Sequence, residues 1–171
     1  MLIDKPISAN QSDPIKLWAD GVVYINTSQW VFAYSTFALL IQHTKNKTVA
    51  LLYNMALCHF SAKEYAKAIA MLGEAQMKIA TPSVLQNANH SLPAILLTEE
   101  YDHSYYRLAL NETASELNTN LVKLRIRRLL VDVNLALENW QEVIRLSALP
   151  EMEKCKNVRE ALTISKSKTN T

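Results

Sequence analysis

Glycine is nearly missing from this chain: only Gly21 and Gly73 occur in 171 residues. Phosphate loops and dinucleotide fingerprints need clustered glycines, because backbone must approach the ligand closely. Two glycines this far apart exclude both. Tight β-hairpin turns also draw on glycine, so the scarcity points toward helices. Cysteine is equally scarce. Cys58 and Cys155 are too few for a disulfide scaffold. A single long-range bridge between them stays open, but the preferred reading is two free thiols in a reducing compartment. Neither H-E-x-x-H nor C-x-x-C occurs, which removes the usual zinc spacings. No metal and no cofactor is expected.

Charge of one sign is also lacking. The formal net charge is +2, so bulk charge calls for neither a nucleic acid nor a membrane partner. The longest apolar-rich stretch, 30–41, is interrupted by Tyr34, Ser35 and Thr36 and is too short to cross a bilayer. "MLIDKPISANQSDP" has no apolar core behind a basic start, and the expectation is a cytoplasmic protein without membrane insertion. Asn26, Asn46, Asn89 and Asn111 begin glycosylation-type triplets, read as chance in an Asn/Ser/Thr-rich chain. What is present is an ordinary globular balance, 49% hydrophobic and 20% charged, enough for one domain with a sizeable core.

The periodicity predicts helices. Asp13 and Pro14 form a start signal, a cap followed by a first-turn proline. Ile15, Trp18, Ala19 and Val22 then keep helical spacing to about residue 26. Further helices are expected over 28–43, 48–60 and 63–79, the last stopped at Thr81-Pro82. A flexible lead covers 1–13. An insert over 83–119 is read as a loop, a short apolar turn at 94–97 and a helix over 103–117, with Pro93 as an interruption. A long helix over 120–137 leads into "ENWQEVIRL", a capping helix covers 151–164, and 166–171 is a disordered tail. Residues 14–165 form one domain.

The helix pairs match in register. Nine residues before Trp30 and Tyr65 stand Gly21 and Ala56; three after stand Ala33 and Ala68; seven after stand Phe37 and Leu72. Small residues at matched places let paired helices approach, and large ones fill the space between them. This spacing resembles the tetratricopeptide repeat, a 34-residue helix–turn–helix unit. The first copy, 14–47, supplies Gly21, Tyr24, Trp30, Ala33 and Phe37. The second, 48–81, supplies Ala56, Tyr65, Ala68, Leu72 and Ala75, with His59 where the family carries an aromatic. A degenerate third copy over 120–150 aligns Trp140 with Tyr65 and puts bulkier Val131 and Val143 at small positions, which predicts a wider or shifted pair. The resemblance implies an all-α helical-hairpin solenoid with an insert and a C-terminal capping helix, acting as a protein–protein interaction scaffold or adaptor.

In such an array the first helix of each pair lines a concave groove. Carried over position by position, the groove offers Ile15, Trp18, Val22 and Ile25, then Tyr53, Asn54, Leu57 and Phe60, then Arg125, Arg128 and Asp132. The expected partner-binding residues are Trp18, Val22, Tyr53, Asn54, Leu57, Arg125 and Arg128. Aromatic anchors supply contact area and arginines pair carboxylates. Members that bind chaperone tails carry a Lys and an Asn where this chain has Trp18 and Val22. A partner helix or strand with an apolar anchor and an acid therefore fits better. Two alternatives stand beside this peptide-binding module. One is a structural or oligomeric subunit whose groove its own insert fills. The other is a metal-dependent hydrolase using Glu99, Asp102 and His103. Asp102, His103 and Ser104 are triad types, but sequential neighbours cannot converge as a relay. The acids read instead as the capped start of a helix. The basic run "KLRIRR", 123–128, reads as a solvated face, and no RNA partner is expected.

Overall fold

The computed structural model describes residues 13–80 and 92–169. Among these residues it is all-α: α1 Pro14–Asn26, α2 Trp30–His43, α3 Val49–Ser61, α4 Tyr65–Ala80, α5 Ala94–Asp102, α6 Glu112–Leu117, α7 Thr119–Ala136, α8 Trp140–Ser147 and α9 Lys156–Thr169. Single 3-10 turns lie at Tyr105–Arg107 and Met152–Lys154. α1 pairs with α2, α3 with α4 and α7 with α8. Each pair continues onto the next: α2 packs on α3, and α4 packs on α7, passing over the insert; α9 closes the far end against α7 and α8.

The local signals behave as their chemistry requires. Asp13 Oδ1 accepts from Ile15 N at 3.0 Å, and Pro14 begins α1. Thr48 caps α3 and Asn118 caps α7 through their side-chain oxygens, each accepting at 3.2 Å. The packing positions are sealed: Ala33, Phe37, Ala56, Ala68, Leu72 and Ala75 are completely buried, as are Val131 and Val143. Gly21 earns its place by contact. A Cβ built there would lie 2.7 Å from the Phe37 ring, whereas one at Gly73 would meet nothing within 4 Å. Both glycines sit inside helices, where alanine is favoured by about 1 kcal/mol. Gly73→Ala should therefore raise stability by about 0.5–1 kcal/mol. Gly21→Ala should lower it by about 1–3 kcal/mol, because overpacking outweighs propensity. Urea midpoints of the two variants check the opposite signs.

The turns inside the three pairs share one backbone. Ser28, Lys63 and Glu138 all take the left-handed conformation, with φ of 59°, 60° and 57°. The following N–H of Gln29, Glu64 and Asn139 donates to the carbonyl five residues back, at 2.8, 2.9 and 2.9 Å. This is the Schellman closure, which usually places glycine at the left-handed site. A chain this poor in glycine uses Ser, Lys and Glu instead, at a steric cost of about 1–2 kcal/mol each. Glycine costs unfolded-state entropy, so Ser28→Gly, Lys63→Gly and Glu138→Gly should each gain about 0.5 kcal/mol net. Thermal unfolding of the triple variant sums the effect; a lower midpoint would mean the side chains contribute more than the strain.

Several boundaries differ from the sequence expectation. The helix expected over 103–117 is present only in its last six residues, as α6. α5 is a true helix rather than an apolar turn, with Pro93 preceding its first residue. Residues 103–111 instead hold the 3-10 turn and an extended stretch before the short α6. The last helix starts at Lys156 and runs to Thr169, so 166–169 are helix and not tail. Asp13 belongs to the α1 cap rather than to the lead. The rest of the expected lead, the stop at Thr81-Pro82, the loop over 83–91 and the last two tail residues lie outside the described residues.

Candidate functional site

The first helices carry the polar residues that demand an explanation. Asn54 is completely buried in the middle of α3, and Arg128, Asp132 and Asn134 are buried in α7. A buried amide or charge is costly unless its hydrogen bonds are made. Asn134 is answered within α7, donating to the Leu130 carbonyl. The other three are answered from the insert and α9.

Asn54 holds Leu110 at two points. Its Nδ2 donates to the Leu110 carbonyl at 3.0 Å, and its Oδ1 accepts the Leu110 N–H at 2.8 Å. Tyr53, also completely buried, donates its hydroxyl to the Tyr106 carbonyl. Burial pushes the Tyr53 phenol well above its ordinary range, so it remains a donor. Asn26 in α1 accepts the Ala109 N–H at 2.9 Å, and Thr48 donates to Glu112 at 2.8 Å. Thus residues 106–112 are fastened along α1 and α3.

α7 holds the other end. Arg125 meets Glu100 in a two-point ion pair, Nε to Oε1 at 2.7 Å and Nη2 to Oε2 at 2.8 Å. Arg128 is 1% exposed. Its guanidinium donates to the carbonyls of Glu100 and His103 and to Asn157 Oδ1, and lies 4.1 Å from the Tyr106 ring centroid. Asp132 receives the Tyr106 hydroxyl at 2.6 Å and Arg107 Nη2 at 2.6 Å. Burial, and then the Asp132 charge, raise the Tyr106 phenol far above its usual range. Asn157 of α9 closes the set by donating to Asp132 Oδ1 at 2.9 Å.

The expected groove residues therefore come together, but beneath the chain's own segment. Tyr53, Asn54, Leu57 and Arg128 are buried, and Arg125 is occupied by Glu100. A contact face open to a partner was the expectation for them; here Tyr53, Asn54, Arg125 and Arg128 are bonded to the insert instead. Trp18 and Val22 stand apart from this cluster, half-buried against the core. The Trp18 ring meets Phe37 edge-on at 5.5 Å, and its buried Nε1 has no hydrogen-bond partner. Trp18 also borders an open hollow of about 300 Å³ with Leu40, Leu51 and Glu112.

The 99–103 cluster differs from expectation too. Its acids lie at the end of α5 rather than at a helix start. Glu99 pairs with His103 at 3.1 Å, and Asp102 faces Arg159 at 4.0 Å. No group of three His, Cys, Asp or Glu side chains able to hold a metal occurs among the described residues. His59 is buried as the packing reading expects, edge-on to Tyr34 and 2.7 Å from Glu64. The hydrogen bonds from Lys67 and His59 hold the Glu64 carboxyl below its usual range. Both cysteines are free and buried, and burial raises the thiols to about 12 at Cys58 and about 11 at Cys155. Neither supplies a thiolate near neutral pH.

The missed participants are Glu100, Leu110 and Asn157, whereas Tyr106, expected among the tyrosines that pack the insert onto the helices, does so. The partners of the missed three lie 25 or more residues away in sequence, beyond any local pattern. No family model matches the chain, and no curated protein and no solved structure matches it. No described helix is long and apolar enough to cross a membrane.

Proposed function

We propose that the chain is a structural subunit of the tetratricopeptide-like type, acting in protein–protein contact with its first-helix groove filled by its own insert. One observation carries this reading: residues 100–112 supply hydrogen-bond partners to the first helix of every pair, at Asn26, Asn54 and Arg128. The identical left-handed turns at Ser28, Lys63 and Glu138 support the repeat character. Opening the groove would strand Asn54, Asp132 and Arg128 in a partly apolar trough, at about 1–3 kcal/mol for each unpaired group.

The contact surface proposed is the first pair. Val31 is 76% exposed and Phe32 58%, and Val23 on α1 is exposed as well. α2 carries no charged side chain from Trp30 to Gln42. The far end, by contrast, is covered by α9, whose outer side exposes Lys156, Arg159, Glu160 and Lys166. Terminal pairs of a helical array need a polar outer face. The occupant proposed for the first-pair end is a second copy of the chain, since a like pair is what each interior face already accepts.

A second reading has its own support. Asn54 grips only main-chain atoms of Leu110, contacts that any extended peptide reproduces, so a partner segment competing for the groove is the alternative. Two measurements separate the readings. Sedimentation should show concentration-dependent dimers that Val31→Lys/Phe32→Lys abolishes without unfolding. Native-state hydrogen exchange should find the Leu110 amide protected as strongly as the α3 core amides. A monomer at all concentrations overturns the second-copy contact. An unprotected Leu110 amide overturns the filled groove in favour of a peptide receptor.

A further inference from the structure

The basic run divides between two environments. Arg125 and Arg128 turn toward the insert, whereas Lys123 and Arg127, one helical turn apart, border a hollow of about 580 Å³ between α5, the start of α7 and the turn after α8. Leu97, Leu121 and Leu124 form its apolar wall. The volume falls within the range of small-molecule sites.

Neither cation in it is paired with an acid among the described residues. Arg107, Arg125 and Arg145 each have a carboxylate partner, Arg128 has carbonyls, and Arg159 has Asp102 and two carbonyls. Among the described residues Arg127 alone of the arginines has none of these, and Lys123 is likewise without an acid. Glu151 also lines the hollow but is taken by the Tyr101 hydroxyl and Lys154. The segment 81–91, which joins α4 to Leu92 beside the hollow, contains no Asp or Glu, so it can supply no carboxylate. Asn118 and Asn120, at the N-terminus of α7, also line the space, and the helix dipole adds positive potential there. The C-terminus of α4 borders the same two cations from the other side, through Gln76 and Ala80. Its partial negative charge is about half a unit, less than the two full charges present.

From this juxtaposition we infer a binding site for a small amphipathic anion: a phosphate or carboxylate head held by Lys123 and Arg127, with an apolar tail against Leu97, Leu121 and Leu124. Two cationic side chains and an apolar wall select for both parts together. The head could belong to a free metabolite or to a lipid, and the test has an arm for each.

Isothermal titration with decyl phosphate, inorganic phosphate and decanol reads the two halves separately. Decyl phosphate should bind saturably, at least tenfold tighter than either fragment, and more weakly in high salt. Lys123→Gln/Arg127→Gln, with circular dichroism unchanged, should lose at least tenfold in affinity. The same loss in Leu121→Gln alone would support the apolar wall. No binding of decyl phosphate, equal binding of inorganic phosphate, or an unchanged affinity in the double variant would overturn the site. Flotation with phosphatidic acid vesicles against phosphatidylcholine vesicles identifies the source: selective flotation, lost in the double variant, assigns the head to a lipid. Absence of flotation together with decyl phosphate binding assigns it to a free ligand.

Discussion

Replacing Arg128 with methionine should lower the unfolding free energy by about 3–5 kcal/mol. The side chain is 1% exposed and donates to three acceptors, the carbonyls of Glu100 and His103 and the side chain of Asn157. Replacing a whole buried ion pair with apolar residues is often tolerated, because both charges disappear together. That escape is closed here. Two of the acceptors are main-chain carbonyls, which no substitution removes, and methionine offers them nothing. Each stranded acceptor costs about 1–3 kcal/mol, and the stacking of the guanidinium on Tyr106, at 4.1 Å, is lost as well. Arg128→Lys should recover only part of the loss, about 1–2 kcal/mol, since an ammonium cannot reproduce the planar fork. Urea unfolding with an unchanged m-value reads the difference. A loss below about 1 kcal/mol would mean that water reaches the carbonyls and that the insert is held elsewhere.

The paired helices were legible because their signals are local. Trp30, Tyr65 and Trp140 each open the second helix of a pair, and the matched residues nine before and three after them are buried. The cap at Asp13 and the proline at 14 likewise act within one turn of chain. The insert was not legible for the opposite reason. α5 has nine residues and α6 six, too short to be stable from propensity alone. Their form depends on contacts with α3, α7 and α9, and contacts of that range leave no period in the sequence. One signal did bear on the groove. α3 reads VALLYNMALCHFS, without a charged group, and every residue from Ala50 to His59 is buried. A helix apolar on all sides is covered on all sides, which conflicts with a groove open along α3. An asparagine in the middle of such a helix asks for a partner, and here that partner is Leu110. The same argument applies to Asp132 among the apolar residues of α7, whose partners, Tyr106 and Asn157, come from both flanking segments.

Asn54→Ala should cost about 2–4 kcal/mol and should loosen the insert more than the helix that carries the mutation. The wild-type amide satisfies the Leu110 N–H and C=O together; alanine leaves both without a partner in a site that is completely buried at position 54. Helix propensity works the other way, by about 0.5 kcal/mol in favour of alanine, and is outweighed. The distribution of the effect is the informative part. Hydrogen exchange should rise at Ala109 and Leu110 well before it rises in α4 or α8, because the lost bonds join two segments rather than support one. Asn54→Asp sharpens the test at constant shape. Its carboxylate can still accept the Leu110 N–H but faces the Leu110 carbonyl with a negative charge in a buried site. Burial raises the folded-state pKa of such a group above its unfolded value. The stability of that variant is therefore greatest in acid, where the carboxyl is protonated and can donate to the carbonyl, and is lost as pH rises through the folded-state value. Relative to wild type, Asn54→Asp should be destabilised at neutral pH and recover toward acid. A variant equally stable across that span would mean that water, rather than Asn54, serves Leu110, and the insert would then be a cover resting on the groove rather than part of its core.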